Sequence, residues 1–151
     1  MGIHFEKGIN EQDASRVCQW SNARGRDFQE QWMGAEVSYP LNDRKLQGLP
    51  NVYSIYHDDE FLGMIQQVRV QDHNIHLGRF ILNPARAGQG YGKQSLIEFV
   101  KLCFRENAVQ SVSLNVYDDN QVAKNLYIKA GFEIEEIIKE PGLKYRMKKY
   151  R

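Results

Sequence analysis

The chain has 151 residues, of which 42% are hydrophobic and 26% charged, with a formal net charge of +1. These are the proportions of one ordinary globular domain, long enough to bury about two-thirds of its unfolded surface without staples. The near-neutral charge argues against a non-specific nucleic-acid binder, and with no run near about 18 apolar residues nothing reads as a membrane span.

The opening "MGIHFEKGIN" lacks an apolar core and is not read as a signal peptide. Glu6 stands where a myristoylation signal wants Ser or Thr. Ile3 and Phe5 alternate there as in a first strand. "NEQDASRVCQWS" then reads as a helix, because Ala14, Val17, Cys18 and Ser21 share one face. "GRDFQEQWMG" is a second short helix, with Phe28 and Trp32 four residues apart. Pro40 and Pro50 punctuate the next stretch, which leaves room for one helical turn at 43–47. Strands follow at 52–57, 61–70 and 75–82, with turns at "DDE" and "QDHN" between them. A glycine-rich stretch leads into a helix at 94–105, whose apolar face is Leu96, Phe99, Val100, Cys103 and Phe104. A strand at 111–117 precedes a helix at 120–130, capped by Asn120 and closed by Gly131. Two strands, 132–138 and 144–149, end the chain around a Pro141-Gly142 turn. This order predicts a mixed α/β (α+β) sheet with helices packed on its faces.

Charge is divided unevenly. Residues 1–75 hold 7 Lys/Arg and 11 Asp/Glu, and residues 76–151 hold 13 and 8. The first half suits a cation and the second an anion, or both are simply solvated surface. Cys18 and Cys103 sit in helical apolar patterns without metal-ligand spacing, so no metal is expected. They read as buried thiols of a reducing compartment, the cytoplasm.

The stretch "NPARAGQGYGKQ" asks the functional question. A strand that ends, a glycine turn and a helix start make an anion site: amides point outward and the helix dipole adds about half a positive charge. A tight strand-to-helix connection would use glycines too. The phosphate-binding P-loop fails, because Ala87 and Gln94 stand where glycine and a hydroxyl are required. The dinucleotide fingerprint fails at Lys93.

"NPARAGQGYGKQSL" resembles instead the pyrophosphate loop of the GNAT N-acetyltransferases, with Gly90 and Gly92 at its two glycine positions. "NQVAKNLYIKAGF" resembles that family's second motif at Asn120, Ala123, Leu126, Tyr127, Gly131 and Phe132. The likeness covers nearly the whole chain. The N-terminal helices look most like the branch containing ribosomal-protein N-terminal acetyltransferases. The resemblance implies a mostly antiparallel sheet of six to seven strands, with a V-shaped split between parallel strands at 77–82 and 111–117. It implies a single domain over residues 1–151. It also implies acetyl-CoA as cosubstrate and direct transfer of the acetyl group to a primary amine, either a protein N-terminus or a small molecule. The alternative is a non-catalytic acyl-CoA sensor on the same fold. A homodimer is common among such proteins.

By the same resemblance, the backbone of Phe80, Ile81 and Leu82 holds the pantetheine arm and polarises the thioester, an oxyanion role worth a few kcal/mol per donor. Gly88, Gln89, Gly90, Tyr91, Gly92 and Lys93 hold the pyrophosphate. The first motif position falls on Ala87, with Arg86 one residue early, so backbone amides rather than a side chain are expected there. Asn120 contacts the cofactor as well as capping its helix. Tyr127, two turns on and facing the same way, donates to the leaving thiolate. A phenol near pKa 10 facing a thiol near 8.5 makes full proton transfer uphill by roughly 2 kcal/mol, so hydrogen bonding is expected to dominate.

The attacking amine must be neutral. A lysine-like amine is about one part in 2,500 neutral at pH 7, and an α-amine about a tenth. The family's frequent glutamate before the second motif falls on Asn115, which is no base. His76, Glu36, Asp118 and water relays stay open for that role. The acceptor is expected near 22–48 and 136–143. There Asp27, Glu30, Glu36, Glu136 and Glu140 would draw in a cation, and Trp20, Trp32 and Tyr39 line the site or pack the helices.

Overall fold

The structure is a computed structural model that describes residues 2–140 and 142–151. The elements are β1 (Ile3–Lys7), α1 (Glu11–Asn22), α2 (Gly25–Met33), α3 (Asp43–Gln47), β2 (Val52–His57), β3 (Glu60–Gln71) and β4 (Asn74–Leu82), then a 3-10 turn at Pro84–Arg86. They continue with α4 (Tyr91–Glu106), β5 (Ser111–Tyr117), α5 (Gln121–Lys129), β6 (Glu133–Ile138) and β7 (Lys144–Tyr150). Backbone pairing orders the seven strands β1-β2-β3-β4-β5-β7-β6. Neighbours are antiparallel at β1/β2, β2/β3, β5/β7 and β6/β7, and β4 runs parallel to β5. This is the mixed, mostly antiparallel sheet expected.

The parallel ladder joins Asn74, Ile75 and His76 to Ser111, Val112 and Ser113 and stops short of the 77–82 segment, where the split was expected. Two details differ from expectation. The helix expected from Gln94 begins at Tyr91. Its first turn, Tyr-Gly-Lys, has neither apolar periodicity nor a capping side chain to announce it. The 3-10 turn was not foreseen, although Asn83 marks it by accepting the Ala85 amide at 3.0 Å. The expected Pro141-Gly142 turn lies partly outside the described residues, at Pro141.

Two compact units appear: one comprises the residues up to Val68 with Gly78–Gln89, the other Arg69–Leu77 with Gly90–Arg151. In the first, Ala14 and Val17 of α1, Met33, Leu46, Val52, Phe61, Met64 and Ile81 form one buried cluster. The cluster forms because α1 repeats apolar residues at helical spacing while β2 and β3 present theirs between them. Each buried Val, Leu, Phe or Met contributes about 1.5–3 kcal/mol. In the second, α4 packs on β5 and α5. Leu96, Phe99, Val100 and Cys103 of α4 are buried, as are Val112, Leu114 and Val116 of β5. No helix among the described residues is long and apolar enough to cross a membrane. Both cysteines are buried and neither forms a disulfide.

Candidate active site

In the first unit, β4 contributes Phe80, Ile81 and Leu82. Ile81 is 7% exposed and its side chain belongs to the buried cluster. Just before it, Arg79 takes a left-handed backbone at φ 49°. Its Nε donates to the Met33 carbonyl at 2.8 Å and its Nη1 to Gln66 Oε1 at 3.0 Å. A non-glycine residue in this region costs about 1–3 kcal/mol and persists only where its surroundings hold it. Here the two guanidinium bonds tie the residue to Met33 and Gln66. Sequence reasoning missed Arg79. The signal was Gly78-Arg79 inside an apolar strand, a mark of local irregularity.

The loop continues with Arg86, whose guanidinium forks onto Glu60 at 2.7 and 2.6 Å. That pair occupies the arginine that stands one residue from the motif position. Gly88 and Gln89 are exposed, and Gly88 has φ 78°.

The chain re-enters the second unit at Gly90, the N-cap of α4, with φ 84°. Asn10, Asn42 and Asn120 cap α1, α3 and α5 with side-chain oxygens at 2.7, 2.9 and 3.2 Å. Gly90 has no side chain to offer, and α4 has no such bond. Its first turn holds no acid and carries Lys93, which is exposed. A Cβ at Gly90 would meet nothing within 4 Å. The longest helix among the described residues therefore opens with no side-chain cap, no acid in its first turn and open space at the Gly90 Cβ position, features that suit an anion.

Asn120 is exposed and its Oδ1 accepts the Ala123 amide. Two turns later, Tyr127 is placed by the end of α5. The Phe132 amide bonds back to the Tyr127 carbonyl and the Gly131 amide to the Ile128 carbonyl, both at 3.0 Å. Gly131 has φ 99°. This is a Schellman closure, which glycine permits without strain and which brings residues five apart into contact. The Tyr127 and Phe132 rings accordingly lie 6.4 Å apart. Tyr127 keeps part of its surface open. Even so, protein packed around its hydroxyl pushes the phenol up to about 12.

The other sequence candidates separate clearly. Asn115 is exposed. His76 is 7% exposed. Burial, then the charges of Arg69, Arg146 and Lys144, lower its imidazole to about 4. Its Nδ1 lies 2.8 Å from Ser113 Oγ. Asp118 accepts the Tyr145 hydroxyl at 2.5 Å. Trp20 stacks on Phe61 at 5.8 Å, and Trp32 donates to Ser21 Oγ at 2.9 Å. Both pack against the first unit's core. Arg26 lies over the Tyr39 ring at 5.2 Å. Asp27, Glu30, Glu36, Glu136 and Glu140 are exposed, with Glu136 bound to Arg146 at 2.8 Å. The described residues contain no group of His, Cys, Asp or Glu able to hold a metal ion.

The chain's fold is shared with solved structures across its whole length. A crystal structure of aminoglycoside acetyltransferase AAC(6')-Ib in complex with coenzyme A matches with TM-score 0.75 and 22% identity, covering 99% of this chain and 95% of that one. An acetyl transferase from Salmonella typhimurium that modifies the N-terminal serine of ribosomal protein L7/L12 matches with TM-score 0.79 and 16% identity, covering 100% and 96%. A spermidine N-acetyltransferase chimera of Vibrio cholerae SpeG and hSSAT matches with TM-score 0.77 and 14% identity, covering 99% and 96%. Residues 17–132 match the model of the acetyltransferase (GNAT) family, and the chain belongs to that family.

Proposed function

We propose that this chain, an acetyl-CoA-dependent N-acetyltransferase by its family, moves the acetyl group directly to a low-pKa primary amine in a ternary complex. The observation that carries the cofactor assignment is the uncapped, glycine-initiated start of α4. We assign the pyrophosphate to the backbone of Gly88, Gln89, Gly90, Tyr91 and Gly92, with Lys93 adding charge. The pantetheine and thioester go to the backbone of Phe80, Ile81 and Leu82. Asn120 keeps its Nδ2 for the cofactor while its Oδ1 caps α5. The family match runs through both compact units, which supports reading the chain as one acetyltransferase domain.

Tyr127 is the group we assign to the leaving thiolate. A phenol near 12 facing a thiol near 8.5 makes complete proton transfer uphill by roughly 5 kcal/mol. Tyr127 therefore stabilises sulfur by hydrogen bonding, and the net proton comes from the amine. His76, held near 4, is too weak to deprotonate an ammonium near 8, an exchange uphill by about 5 kcal/mol. With Asn115 inert, Asp118 engaged by Tyr145 and Glu36 exposed to solvent, an amine already partly neutral at pH 7 is the acceptor this chemistry favours. That points to a protein N-terminus or another α-amine rather than a lysine-like one.

Calorimetric titration with acetyl-CoA, with ATP as control, tests the cofactor assignment. Micromolar binding of acetyl-CoA alone is expected, and binding of neither ligand, or of ATP alone, would remove it. Thiol release with peptide N-termini, spermidine and an aminoglycoside then tests the acceptor. Faster release with the peptides is the expected order.

A further inference from the structure

We propose that the second unit carries a separate binding site for a phosphate dianion. It is a pocket of about 270 Å³ lined by Arg69, Gln71, Asp72, Asn74, His76, Ser113, Arg146 and Lys148. The assignment does not depend on the acetyl-transfer reading.

A chain of hydrogen bonds builds the pocket floor. Ser111 Oγ donates to Asn74 Oδ1 at 2.8 Å, and Asn74 Nδ2 donates to Ser113 Oγ at 2.8 Å. Ser113 Oγ lies 2.8 Å from His76 Nδ1. With Asn74 in that orientation, Ser113 has its own proton left for Nδ1. The neutral imidazole then carries its hydrogen on Nε2. Among the described residues that nitrogen has no hydrogen-bond partner, and His76 as a whole is 7% exposed. An ordered polar relay thus ends in a fixed N–H donor on a pocket-lining residue.

Around that donor stand Arg69, Arg146 and Lys148 against one carboxylate, Asp72. Beyond the lining, Glu136 binds Arg146 at 2.8 Å and Lys144 acts on His76 from β7, so the two offset each other. The surplus of two positive charges matches a phosphate group, about −1.5 to −2 at neutral pH, rather than a single carboxylate. The Arg69 fork, the Arg146 N–H groups that Glu136 does not take, one ammonium and one imidazole N–H are donors suited to several oxygens. The volume admits the phosphate and a small ester group. Arg69 has no acidic partner among the described residues.

The test follows the His76 ring proton by NMR, identified as the signal missing from His76→Gln. At pH 7.5, where inorganic phosphate is mostly the dianion, it should shift that signal saturably. Arg69→Gln and Lys148→Gln should each weaken binding tenfold or more, while Lys93→Gln, at the start of α4, leaves it unchanged. Glycerol 3-phosphate binding tighter than phosphate would identify an ester as the ligand, and equal binding would identify the free ion. Either result supports the site. No shift, equal binding by succinate, unchanged affinity in both the Arg69 and Lys148 variants, or dependence on Lys93 would each overturn it.

Discussion

Tyr127 has one polar atom, placed by the end of its helix and raised to about 12 by burial. Removing that atom alone should cost catalysis and little else. Tyr127→Phe is expected to lower turnover tenfold or more while coenzyme A affinity stays within a few-fold, measured by thiol release and calorimetry. Unchanged turnover would refute the role. His76 gives a prediction of a different kind. Its imidazole is lowered to about 4 in the folded chain and lies near 6.5 when unfolded. Between those values the unfolded chain takes up a proton that the native state refuses. Stability present above pH 6.5 is therefore lost as pH falls towards 4, by about 3 kcal/mol in all. Urea unfolding at pH 7.5 and 4.5 should show most of this loss, and His76→Gln should lose less over the same interval.

At the scale of the element, α4 is the helix to perturb. Its N-cap needs positive φ, which glycine adopts freely, and the space above Gly90 is clear. Gly90→Val should abolish coenzyme A binding, because a branched side chain fills that space and strains the turn. A melting curve separates loss of the site from loss of the fold. Normal affinity in a folded variant would place the pyrophosphate elsewhere. The cap of α5 was read in advance: Asn120 precedes an apolar periodic run and accepts an amide three residues on. The start of α4 was not, because its first turn lacks both signals. β2 and β5 were legible to the residue, since their apolar runs are bounded by turn formers. The turn before β4 was legible too: Asp72 and His73 both adopt positive φ, 54° and 60°, as a two-residue hairpin turn requires.

For the whole molecule, ligand binding should appear as stability. Acetyl-CoA at about 100 times its dissociation constant should add about 2.7 kcal/mol. For a chain of this length that raises the melting temperature by roughly 5–10 °C. ATP at the same concentration should not. An equal shift with both ligands would show that the loop reads only phosphate charge.

The sequence by itself determined the element order, the glycine loop and the second motif, because each is a local pattern of periodicity, turn chemistry and spacing. Those patterns also sufficed to identify the family. Other features needed the tertiary structure, because they join residues far apart in the chain. Arg86 is held by Glu60, 26 residues away. Arg79 is held in a left-handed backbone by Met33 and Gln66. His76 looked like a candidate base until burial and the cations of β3 and β7 were seen to depress it. The phosphate pocket draws Arg69, His76, Ser113 and Lys148 from four strands. No local pattern encodes which side chains a folded sheet sets side by side, and electrostatics and solvation depend on that placement.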